Sequence, residues 1–204
     1  MLLVCVWFLL SLVLCARPGP EDKGNNGNTI PGLTIPGLVL LDACQEGWSE
    51  RSKTGSPTWT YDDTECAVGS ASIRMTLKQG EMLHLVKALS STLDATGKVF
   101  VVRVRVSDVS KLYVAEALRL TLLDGLTNRY MLCSKGSSAR VSAMWRNLFF
   151  VFDSRVGEPG RYFYVTGSPD PGHISHLDIG VRAAPAFEVR SRYGLMRLPI
   201  MSRC

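Results

Sequence analysis

The stretch YDDTECAVGSASIRMTL, Tyr61 to Leu77, carries acids, a cysteine and a Gly-Ser step, then alternates without a break. Ala71, Ile73, Met75 and Leu77 are apolar, while Ser72, Arg74, Thr76 and Lys78 are polar. Successive strand side chains point to opposite faces, so this pattern predicts a strand with one buried and one wetted face. Gly69 supplies the backbone freedom for the turn before it.

The same rhythm recurs along the chain. Phe100, Val102, Val104 and Val106 alternate with Val101, Arg103, Arg105 and Ser107; Leu118, Leu120 and Leu122 alternate with Arg119 and Thr121. Leu177, Ile179 and Val181 alternate with Asp178, Gly180 and Arg182, and Phe187 and Val189 with Glu188 and Arg190. Further strands are expected at 38–43, 58–62, 81–86, 129–133, 145–152, 161–165 and 194–200, separated by the turn signals TGK, LDG, GEPG, SPDPG and AAP. Only LVKALSSTLDA and SKLYVAEAL have a composition that suits a helical turn. Many short half-buried strands without long helices predict an all-β fold, a two-sheet antiparallel β-sandwich of the jelly-roll kind. A closed up-and-down barrel is the rival; its hairpins would be short and regular, and these connections vary widely in length.

The chain has 204 residues, enough for one domain with a sizeable core. Its net charge of +5 mildly favours acidic partners. Residues 1–16, MLLVCVWFLLSLVLCA, are apolar, without a charged side chain, and short for a bilayer span, which predicts a secretory signal peptide with cleavage next to Cys15. LVLC loosely matches a lipoprotein box, so lipidation of Cys15 and a membrane anchor is the alternative; a buried N-terminal helix is a third reading. Residues 17–37 form a Pro/Gly/Asn-rich linker with TIPGL twice in tandem, and residues 38–204 form the domain. Removal of the leader leaves Cys44, Cys66, Cys133 and Cys204, with three connectivities open; Cys44 with Cys66, both near strand ends, is the expected disulfide. No two of them have the close spacing of a zinc knuckle.

The order of features resembles a galactose-binding-type jelly roll, the fold of many carbohydrate-binding modules attached to polysaccharide deacetylases and glycoside hydrolases. LLDACQEGW, then YDDTECAVGSASIRMTL, KVFVVRVRVSDVSKL, MWRNLFFVFD and HISHLDIGVRAAPAFEVRSRYGLMRLP carry the likeness, over roughly residues 38–200. The resemblance implies a non-catalytic carbohydrate-binding module of a secreted or surface protein, or the detached accessory domain of a larger enzyme. It also suggests a structural calcium, with Asp42, Glu46, Asp62 and Asp63 as oxygen ligands. The closing acid of that pattern is Tyr193 here, so these acids are read as solvating a loop, and no cofactor or metal site is expected.

No catalytic constellation is recognised. His173 and His176 supply at most two metal ligands, and no G-x-S-x-G is present. A jelly-roll lyase would need a Tyr, a His and an Arg on one face. Asp178 and Glu188, the strand acids, are expected to pair with Arg182 and Arg190. Arg103, Arg105, Arg119, Arg182 and Arg190 fall at outward strand positions; if their strands share a sheet they form a basic face suited to an acidic polysaccharide. Trp59 and Tyr130, with Trp48 and Tyr61, are candidate ring platforms for sugars, and Trp145 a core residue. Nucleic acid is not expected, for want of an aromatic-basic motif. The rival reading is a structural or protein-interaction sandwich.

Overall fold

The computed structural model describes residues 3–9, 13–15, 38–41, 44, 46–65, 70–113, 117–133, 141–152 and 163–185. Every regular element among them is a strand or a short 3-10 turn. The strands are β1 Leu3–Leu9, β2 Val13–Cys15, β3 Leu38–Leu40, β4 Trp48–Thr54, β5 Thr58–Asp62, β6 Ser72–Lys78, β7 Met82–Leu93, β8 Val99–Val106, β9 Leu118–Asp124, β10 Asn128–Cys133, β11 Arg146–Val151, β12 Phe163–Thr166 and β13 Ile174–Arg182. All their pairings are antiparallel.

They form two sheets. The first runs β3-β2-β8-β1-β6-β5, with β11 on the other edge of β8; the second runs β12-β10-β9-β13-β7-β4. The alternation of the sequence becomes the inner lining of both. Ile73, Met75, Leu77, Phe100 and Val104 of the first sheet join Leu85, Leu120, Leu122 and Ile179 of the second in one buried cluster. Each such side chain contributes about 1.5–3 kcal/mol by leaving water.

Two expectations are corrected. LVKALSSTLDA is strand β7 as far as Leu93, because Leu85 is buried and Leu89 and Leu93, on the same alternation, pack against the core. SKLYVAEAL does begin in a short helical turn, the 3-10 turn Val109–Lys111, in which the Ser110 amide donates to Asp108 Oδ1 at 3.0 Å. Trp145 is half-buried, ahead of β11, and is not a core residue. The structure adds β4, which the hydrophobic pattern did not reveal. WSERSKT is almost wholly polar after Trp48, as suits an edge strand. Expected strands at 187–189 and 194–200 lie outside the described residues.

Glu81, nearly buried, ties two turns together. Its carboxylate accepts the amide of Ser56 (2.9 Å) in the β4–β5 turn and that of Lys78 (2.6 Å) in the β6–β7 turn. Its side chain also fills the space that a Cβ at Gly55 would need, and Gly55 has φ +81°. Only glycine serves both demands.

Val104 lies at the centre of β8 with no exposed surface. Val104→Asp buries a carboxylate without a partner, a cost of several kcal/mol, and should leave no cooperative unfolding transition in circular dichroism. A second expectation concerns acid. Asp94, Asp108 and Asp170 each accept a backbone amide two residues on, from Thr96, Ser110 and Gly172. The bond from the Thr96 backbone, the Ser110 hydroxyl and the Gly172 backbone, respectively, is the main cause that holds these carboxyls below the ordinary aspartate value. Folded values below unfolded ones add stability above the unfolded pKa, and it is lost as pH falls through the folded values. Thermal midpoints should therefore hold above about pH 5 and fall below about pH 4. Replacing all three by Ala should remove part of that acid slope.

Candidate functional site

The site is built on the outer face of the second sheet, opposite the core lining. β13 is an inner strand between β9 and β7, and Asp178 stands at its middle, in register with Thr121 on one side and Val86 on the other. It is a carboxylate with no exposed surface. Arg51 Nη1 donates to its Oδ2 at 2.6 Å, and His84 Nδ1 lies 2.8 Å from its Oδ1. A carboxylate only accepts, so the Nδ1 hydrogen belongs to this bond.

Local structure explains why these side chains meet. The pairing of β4 with β7 shifts register between Glu50 and Ser52, and Arg51 occupies that bulge. Bulges re-aim side chains, and Arg51 turns over the sheet to Asp178, with its Nη2 3.4 Å from the carbonyl oxygen of Leu126 in the β9–β10 turn. Gly180 is opposite His84 on β13, and a Cβ there would collide with the imidazole. The ring therefore leans over bare backbone towards β13.

Around this centre the face is basic. Arg119 is the other register partner of Gly180, with its Nη1 4.0 Å from Met82 Sδ. Arg129 follows on β10, in register with Leu123, its Nε donating to Thr166 Oγ1 at 3.3 Å. Arg182 closes β13 with its guanidinium 4.2 Å above the Tyr113 ring. Along a neighbouring row, Tyr164 of the edge strand β12 is in register with Met131, Met131 with Thr121, and Thr121 with Asp178.

The expected basic residues are divided between the sheets. Arg103 and Arg105 are on β8 of the first sheet, and Arg119 and Arg182 on the second, so one sheet face does not hold them all. Arg105 pairs with Glu65 at 2.5 Å, and burial lowers the guanidinium pKa of Arg103 from its ordinary value. Arg190 lies outside the described residues. Of the expected ring platforms, Tyr61 stays exposed on β5 of the first sheet, and the other three turn inward. Trp59 packs against the core, Trp48 is buried in it, and Tyr130 meets Phe152 edge-on with its hydroxyl donating to the Pro169 carbonyl at 2.7 Å. Burial first, then the charges of Asp170 and Asp124, raise the Tyr130 phenol.

Asp178 pairs with Arg51 and His84, whereas Arg182 had been the expected partner. Arg51 was missed because its strand has almost no apolar pattern, and His84 because its place between Leu83 and Leu85 does not say which strand it faces. Asp62, a candidate calcium ligand, accepts the Thr64 amide and hydroxyl (3.0 and 2.6 Å) and is 3.7 Å from Arg74. Asp42 lies outside the described residues, as does Cys66, the expected partner of the buried Cys44.

Breaking a buried pair by deleting one partner leaves the other charge uncompensated. Asp178→Ala should therefore cost about 3 kcal/mol in urea unfolding. Arg51→Ala combined with it should cost less than the sum of the single changes, since the two share one interaction. Additive losses would count against the pair as the organising contact.

No family model matches the chain, and no curated protein matches it. The functional reading rests on the chemistry of this face.

Proposed function

We propose that the protein is a carbohydrate-binding module of jelly-roll type, its two sheets packed face to face, which holds an acidic polysaccharide across the outer face of the second sheet. The observation that carries this reading is the gathering of Arg51, Arg119, Arg129 and Arg182 with His84 on one sheet face. Guanidinium forks match carboxylate and sulfate oxygens bidentately, which suits uronate or sulfated sugars. The single buried core drawn from both sheets supports the packing. The likeness to galactose-binding-type modules supports the ligand class.

The rival reading is a protein-interaction module. It is favoured by Tyr164 and Val165, 46% and 38% exposed on the edge strand β12.

The two separate in calorimetry with polyuronates and sulfated glycans at two salt concentrations. Contacts between exposed charges are weak, so a short acidic oligosaccharide should bind with a Kd on the order of 10⁻⁴ M, weakening as salt rises. Arg119→Ala with Arg129→Ala should reduce affinity about tenfold or more and change stability by about 1 kcal/mol or less. Arg103→Ala, on the other sheet, should leave binding unchanged. Absence of binding to every acidic glycan, or unchanged binding by the double variant, would favour the protein-interaction module.

A further inference from the structure

We propose that Leu3–Leu9, the segment whose composition reads as an export leader, is an inner strand of the working protein and is retained in it. The inference stands apart from the glycan reading. β1 pairs with β6 from Leu3↔Lys78 to Phe8↔Ile73, and with β8 from Val6↔Val106 to Leu9↔Arg103. β2 continues along the same edge of β8, with Cys15 opposite Val99. Loss of the first 15 residues would therefore remove both strands from the middle of the first sheet.

The remaining strands cannot close that gap by themselves. β6 and β8 each run antiparallel to β1, so they run parallel to one another. Two strand spacings, about 9.5 Å, separate them. To pair directly they would have to shift by a whole strand, and Ile73, Met75, Val104 and Val106 are locked in the common core. An open slot would leave backbone donors and acceptors facing each other across a space that only an extended chain fills.

The register shows what kind of chain fits. Val4, Val6 and Phe8 are level with Leu77, Met75 and Ile73 of the core-lining row, and Val6 and Phe8 also with Val106 and Val104. Cys5 and Trp7 are level with Thr76 and Arg74 of the opposite row. LVCVWFL is apolar at both alternations, contains no proline and is rich in β-branched and aromatic residues, as an inner strand requires. The tandem TIPGL segment is the other apolar stretch of the amino-terminal region, and Pro31 and Pro36 cannot donate to a ladder paired on both edges.

Amide hydrogen exchange on the full chain tests this directly. The amides of Val4–Phe8 should exchange as slowly as those of Val102–Val106. Val6→Pro should lower the thermal midpoint by about 10 °C or more, whereas Asn26→Pro in the linker should not. Protein recovered after expression in an export-competent host should keep Leu3–Leu9 by mass spectrometry. Exchange of Val4–Phe8 within seconds, an unchanged midpoint for Val6→Pro, or a mature chain that begins near Ala16 and unfolds as cooperatively as the full chain would each overturn the proposal.

Discussion

A carboxylate without solvent contact, Asp178, is held by a guanidinium and an imidazole from two other strands. That arrangement constrains the second sheet more than any apolar contact does. Apolar side chains slide and repack at a cost below about 1.5 kcal/mol when volume is kept. A buried charge has no such latitude, because each oxygen needs its own donor at hydrogen-bond distance. The pair Arg51–Asp178 pins the bulge in β4, and His84–Asp178 pins the register of β7 against β13. Gly180 follows from these two demands, since the imidazole needs the space a side chain would take.

The fold class was legible because strand periodicity is local. Ile73, Met75 and Leu77, or Leu118, Leu120 and Leu122, announce an inner face without reference to anything else in the chain. β4 was not legible, because an edge strand with a wetted face and a bulge has little apolar signal to show. β7 was only partly read. Its second half, Leu89–Leu93, pairs irregularly with β13 and mixes small polar residues with leucines, a composition that also suits a helical turn.

The candidate site was legible only in kind. Alternation identifies Arg103, Arg105, Arg119 and Arg182 as outward, and the half-buried state of these strand positions agrees. It does not say which strands are neighbours. β8 and β9 are consecutive in the strand order and belong to different sheets, whereas β9 and β13 lie side by side although many residues separate them. Sheet membership is a long-range property, set by which apolar faces find one another, so a basic face assembled from consecutive strands divides in two.

The leader segment shows the same limit from the other side. A short uninterrupted apolar run satisfies the demands of a signal sequence and those of an inner strand alike, since both ask for apolar residues without charge or proline. What separates the two is whether other strands offer open edges at the right spacing, and that lies in β6 and β8, far along the chain. Their parallel run supplies a slot that a single antiparallel strand fills. The alternation in Ser72–Lys78 and Val99–Val106 therefore had a meaning beyond its own two strands. Each buries one face in the common core, and each also offers an edge to a strand that arrives from the amino terminus.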